Sequence, residues 1–346
     1  MKKITVIGLF CEGMEVSDGQ SIKTRIVTEE IEKALGKEEV GRVDTYGWKK
    51  NPMRLLVNCF SAVRNSAHVM FLTDEGGIKV FPWLLLLVNT IYRRSLHYVV
   101  IGGWLVPFLG KHPFLKACLK KLNHIFAETI EMQKGLERLE FSNVSLLPNF
   151  KNLTPLREEE LNDTYSEPYS LCTFSRVMKE KGIEDAVMAV NAVNARYGRT
   201  VYTLDIYGCV DPGQQEWFAD LSSNFPREIR YCGIVPYDKS VETLKDYFVL
   251  LFPTFFAKEG IPGTIIDAYA AGVPVIASKW AAFYDIIEDG VTGIGYPWMK
   301  NEMLESILEE IIQEPNRILN MKKNCLKKVQ DYLPENAMAI ILEKLS

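Results

Sequence analysis

The chain has 346 residues, of which 47% are apolar and 24% charged, and carries a formal net charge of −4 at pH 7. This is the balance of a globular protein too long for one core and suited to two domains. No nucleic-acid motif is present, and the apolar run Val80–Val88 is far short of the about 20 residues that cross a bilayer.

In chain order, Lys3–Leu9 reads as a strand, Ile22–Leu35 as a helix, Arg42–Tyr46 as a strand, Met53–Val63 as a helix and His68–Leu72 as a strand. Such alternation predicts α/β structure with parallel sheets covered by helices. The apolar N-terminus is not a signal peptide on this reading: its core is short, Glu12 arrives early and no small-residue cleavage site follows. In the first βα connection, Asp18 or Ser21 would cap a helix starting near Ile22. Only Gly19, with Gly13 further back, offers close backbone approach there. Lys23 and Arg25 read as solvated rather than as contacts to an acceptor phosphate. Gly8–Gly13 lacks the middle glycine of G-x-G-x-x-G, which argues against a nicotinamide-dependent oxidoreductase.

Between Gly76 and Ala127 there is no acid, against Lys79, Arg93, Arg94, Lys111, Lys116, Lys120 and Lys121. The same region holds the apolar runs Val80–Val88 and Trp104–Leu109. Two readings stand side by side: an interfacial segment on an anionic membrane surface, or a buried helix with a solvated basic face. The seven cysteines form no C-x-x-C pair, which favours reduced thiols in a cytoplasmic protein. Four histidines lack metal-ligand spacing and no D-x-D occurs, so the sequence offers no metal site.

Lys151–Pro168, polar and broken by Pro155 and Pro168, is the linker candidate. Beyond it, the strand Tyr169–Phe174 runs into Arg176, and Lys181 precedes a helical pattern over Ile183–Tyr197. Leu204–Gly208 and Ile229–Val235 read as further strands. The richest stretch is Lys258–Ser278. After the apolar run Phe248–Pro253, Glu259 sits in a loop, and Pro262 starts a helix that runs to Ala271 and carries Asp267. The strand-like Val273–Ala277 follows. The first-turn amides near Gly263 and Thr264 suit an anion such as a diphosphate, and the two carboxylates suit sugar hydroxyls. A last helix is expected over Asn336–Leu345, after Pro334.

Lys258–Ser278 resembles the E-x7-E signature of the family 4 (group 1) glycosyltransferases, with Asp267 in place of the second Glu. Cys172–Gly182 resembles the family's G-R-x-x-x-x-K-G element, with Ser175 for the first Gly. Pro148-Asn149-Phe150 resembles the P-N-G that closes the family's N-terminal domain. The resemblance is specific from about Tyr169 to Gly293. It implies GT-B architecture, two Rossmann-like domains facing across a cleft, over residues 1–160 and 161–332, with a C-terminal helix in 333–346 returning to the first. It also implies retaining, metal-independent transfer of a sugar from a nucleoside-diphosphate sugar to a glycan or lipid-linked glycan, in surface polysaccharide synthesis.

On that resemblance Glu259, Arg176 and Lys181 are catalytic. The donor is held by Arg176, Lys181, Gly260, Ile261, Pro262, Gly263, Thr264, Asp267 and Gly19. Many relatives carry a sugar-contacting histidine where this chain has Gly102-Gly103-Trp104, so His97 or His112 replaces it, or no histidine is needed. The protein is then cytoplasmic, with a peripheral membrane position as an option and no nucleic-acid partner. The rival within the same fold is a non-catalytic binding or scaffolding subunit.

Overall fold

The computed structural model describes residues 1–11, 19–162 and 164–345. Gly13 and Asp18, offered by the sequence for the first loop, lie outside the described residues, as does Glu12. The chain divides into two compact units. The first comprises Met1–Asn152, Lys258–Ile261 and Tyr332–Ser346; the second comprises Leu153–Ala257 and Pro262–Asp331. The division thus falls at Asn152 rather than residue 160, and the first unit recruits four residues from the middle of the other's sequence.

The first unit holds β1 (Lys2–Gly8), β2 (Val40–Asp44), β3 (Ser66–Thr73), β4 (Ser95–Val100), β5 (His124–Ala127) and β6 (Val144–Leu146). They pair in parallel in the order β2-β1-β3-β4-β5-β6. Parallel neighbours need long crossovers, and helices such as Gly19–Leu35 and Pro52–Asn65 supply them. The helix Pro334–Glu343 joins the core of β1 and of helix Gly19–Leu35, through Ala337, Met338 and Ile341 beside Ile4, Val6, Ile26 and Val27. Phe150, standing where the resemblance leads one to expect glycine, is buried in that same cluster.

The second unit holds β7 (Tyr169–Phe174), β8 (Tyr202–Tyr207), β9 (Ile229–Gly233), β10 (Val249–Phe252), β11 (Val275–Lys279) and β12 (Gly293–Pro297). Their order is β12-β11-β10-β7-β8-β9, all parallel. Counted within the sheet this is the doubly wound Rossmann order. β10 is buried along its whole length, as expected of a strand with helices on both faces. The crossovers from β7 and β10 leave in opposite directions, so a crevice opens at the carboxyl ends of these two neighbours.

Several expectations for the first βα connection change. The helix already includes Gly19–Leu35 among the described residues, and Ser21 is buried within it rather than capping it. Lys23 is not solvated: it is 4% exposed and paired with Glu128 at 2.5 Å. Arg25 is half-buried and donates from Nε to Phe10 O and from Nη2 to Cys11 O.

Candidate functional site

In the second unit, the chain leaving β7 turns at Ser175 against Gly208. A Cβ on Gly208 would lie 1.8 Å from Ser175 O, and its φ of +134° also requires glycine. Arg176 is exposed, with Nη1 3.7 Å from Asp211 Oδ2, a long surface pair that leaves the guanidinium free to re-aim. Lys181 ends the short 3-10 turn Lys179–Lys181, and its Nζ lies 5.2 Å and 5.4 Å from the rings of Phe252 and Phe256. Glu180 O accepts from Phe255 N at 2.8 Å and from Thr254 Oγ1 at 3.2 Å. The cationic loop after β7 is thereby stitched to the segment after β10.

That segment leads into the helix Gly263–Ala270, with Pro262 as its extended N-cap residue. The first helical turn has no intrahelical acceptors for its amides, so Gly263 and Thr264 present N–H groups with the helix dipole behind them. Thr264 Oγ1 is buried without a hydrogen-bond partner. Asp267 is 2% exposed, and its Oδ1 accepts from Ser240 Oγ at 2.8 Å. The carboxylate expected to meet ribose hydroxyls is thus a buried group already oriented by a serine 27 residues earlier.

The first unit holds the other half of the signature. Gly103 N donates to Lys258 O at 2.9 Å, Ile261 N donates to Glu128 Oε1 at 2.8 Å and Asn149 Nδ2 donates to Ile261 O at 3.0 Å. Lys258 Nζ pairs with Glu75 at 2.5 Å, and this hydrogen bond is the first cause holding the Glu75 carboxyl below its ordinary pKa. Glu259 is half-buried, and Gly260, Ile261 and Pro262 are buried. Gly19 is exposed at the start of its helix with open space around it.

Glu128 was not among the sequence candidates. Its only signal is that it is the first acid after the acid-free stretch Gly76–Ala127. His97 does not stand in for the missing histidine. It lies in the amino-terminal half of β4, buried, with Nε2 3.1 Å from His68 Nδ1, while Gly102 follows the strand's carboxyl end. His112 is stacked on Phe108 at 4.0 Å, with Nδ1 2.8 Å from Phe108 O.

The basic apolar region is neither wholly buried nor wholly exposed. Helix Phe81–Tyr92 buries Phe81, Pro82 and Leu85 while Trp83, Leu87 and Ile91 are 47%, 70% and 72% exposed. Phe60 and Tyr92 meet edge to face at 5.8 Å, which sets this helix beside Pro52–Asn65 and its exposed Met53 and Val57. Among the described residues, no helix is long and apolar enough to cross a membrane. None of the seven cysteines is in a disulfide.

Residues 168–313 match the family model described as Glycosyl transferases group 1. The amylovoran biosynthesis glycosyltransferase AmsK of Erwinia amylovora is 24% identical over 225 residues, covering 63% of this chain and 53% of that protein. The matched stretch thus spans about half the length of this curated relative. Among solved structures, Anabaena Alr3699/HepE in complex with UDP and glucose matches with a TM-score of 0.73 at 14% identity, over 100% of this chain and 99% of that one. Sucrose-phosphate synthase from Thermosynechococcus elongatus matches with a TM-score of 0.78 at 16% identity, over 100% and 98%. At such identities the solved structures speak for the fold. With the matching family model, the curated relative and two parallel six-stranded sheets, the chain resembles the group 1 glycosyltransferases and has the GT-B fold.

Proposed function

We propose that this protein transfers a sugar from a nucleoside-diphosphate sugar to a glycan or lipid-linked glycan, with retention of anomeric configuration, in the synthesis of a surface polysaccharide. The observation that carries the reading is the joining of the β7 and β10 loops through Glu180 O, which sets the Arg176–Lys181 turn against the strand end leading to helix Gly263–Ala270. The departing diphosphate gains negative charge as the glycosidic bond breaks. Arg176, Lys181 and the first-turn amides of Gly263 and Thr264 stabilise that charge more in the transition state than in the ground state. The unpartnered Thr264 hydroxyl is a donor that a phosphate oxygen would satisfy. Glu259 contacts the sugar, and Asp267 is assigned to the ribose, with Ser240 orienting it. The acceptor attacks on the face the diphosphate leaves. HepE was solved with UDP, with UDP and glucose, and with UDP-glucose, which supports a nucleotide-sugar donor here.

Charge neutralisation is assigned to protein cations, so transfer is expected to persist in EDTA. The lipid-linked acceptor and a peripheral position on an anionic cytoplasmic membrane face rest on exposed Trp83, Leu87 and Ile91 within an acid-free basic stretch. Sedimentation with anionic vesicles at low and high salt tests that part: binding weakened by salt supports it, and absence of binding at both removes it. For the activity itself, a panel of nucleotide sugars is screened for thermal stabilisation and turnover. At least one should raise the melting temperature and be turned over. If none does either, the non-catalytic reading takes its place.

A further inference from the structure

Four residues from the middle of the second unit's sequence, Lys258–Ile261, fold as part of the first unit. Their backbone lies in a close-fitting seat. A Cβ on Gly103 would be 2.4 Å from Glu259 O, and one on Gly260 would be 2.1 Å from Glu128 Oε1 and 3.0 Å from Gly102 Cα. The floor of that seat is one buried carboxylate. Glu128 Oε1 accepts from Ile261 N at 2.8 Å, and Oε2 accepts from Gly102 N at 3.2 Å and from Lys23 Nζ at 2.5 Å. Lys23 Nζ also donates to Val100 O at 3.1 Å. A single group therefore ties together the first helix, the turn after β4, the end of β5 and the Glu259 segment.

An ion pair with both partners 4% exposed is a poor way to gain stability, because desolvating two charges offsets most of their attraction. An apolar pair of similar volume would hold a core as well. What it could not do is accept the Gly102 and Ile261 amides at fixed points. We propose that Lys23 and Glu128 are positioning residues that set the placement of Glu259, with Gly102, Gly103 and Gly260 lacking side chains so that the segment can seat against the carboxylate. The inference rests on the glycosyltransferase reading for the role of Glu259, but the seat itself can be tested without it.

The decisive comparison uses two double variants. Lys23→Met/Glu128→Leu removes both charges and the acceptor while keeping volume. Lys23→Met/Glu128→Gln removes the charges but keeps an amide oxygen for Ile261 N. Hydrogen exchange is followed for the amides of residues 258–261 and of β1, β3 and β4, alongside kcat and donor KM. The Leu variant is expected to exchange at Gly260 and Ile261 at least tenfold faster with the strands still protected. It should also lose about 100-fold in kcat with donor KM within twofold, the scale of a misplaced catalytic group. The Gln variant should recover most of both. Unchanged exchange at 258–261 in the Leu variant overturns the proposal, as does loss of protection throughout the sheet in both variants, which would make the pair a fold element only. If the wild type transfers no sugar, the proposed function falls while the exchange data still decide the seat.

Discussion

Gly182 lies so close to Pro253 that a Cβ on it would meet the Pro253 carbonyl oxygen at 2.1 Å. Its φ of +72° is also one that side chains rarely adopt. This contact carries the residue next to Lys181 onto the end of β10. Gly182→Ala should therefore cost about 1–3 kcal/mol of stability and lower transfer by at least tenfold through displacement of Lys181. Gly198→Ala is the control: φ is +62° there too, but nothing lies within 4 Å, so it should cost about 1 kcal/mol and leave turnover intact. Denaturant melts and kcat measured on both variants decide, and equal activity in the two would mean that the contact does not place the lysine.

Lys181→Ala should leave the fold unchanged and reduce kcat by about 10²–10³-fold, the usual loss when one donor to developing charge is removed. Nucleoside-diphosphate affinity should fall with it. Glu259→Ala should lose transfer with nucleoside-diphosphate binding retained, because its contact is assigned to the sugar. Wild-type turnover in purified Lys181→Ala would withdraw the diphosphate grip assigned to it.

Thr264→Val separates stability from binding. The buried hydroxyl has no partner, so an isosteric methyl should leave stability unchanged or raise it by about 1 kcal/mol. If the hydroxyl donates to a phosphate oxygen, the same change should weaken nucleoside-diphosphate binding by roughly tenfold. Calorimetric titration with UDP and GDP reads this; weaker folding with unaltered binding would place the hydroxyl outside the donor site.

Acid should destabilise the first unit through its histidine row. Burial is the first cause lowering the pKa of His97, to about 3, and of His68 and His124; Lys3 adds to it at His68 and Lys344 at His124, where Glu343 opposes it. The unfolded chain takes up protons below about pH 6.5 that the folded chain refuses, so stability is full above that pH and falls as pH drops toward 3. For His97 alone the loss at pH 5 is about 2 kcal/mol. Urea midpoints at pH 7.5 and pH 5 should differ more in the wild type than in His97→Phe, and identical differences would remove this account.

The strand Tyr169–Phe174 and the helix Ile183–Tyr197 were legible in the sequence because apolar period and flanking breakers are local signals. Helix Gly263–Ala270 was legible for the same reason, with Pro262 before it and Gly272 after it. Lys23 was misread because it stands on a helix with Arg25 and Glu29 nearby, where a cation is ordinarily solvated. Its burial depends on Glu128, 105 residues away. Asp267 was legible as a carboxylate on the first turns of a helix, but not as one engaged by Ser240.

By itself the sequence determined two α/β halves, a pair of cations after β7 and a helix N-terminus after β10, because each follows from residues within a few positions of one another. Only the tertiary structure decided that Lys258–Ile261 belongs to the first unit and that Glu128, 133 residues before Ile261, accepts its amide. A buried carboxylate must find its donors wherever the fold brings them, and spacing along a chain carries no record of which distant loops will meet.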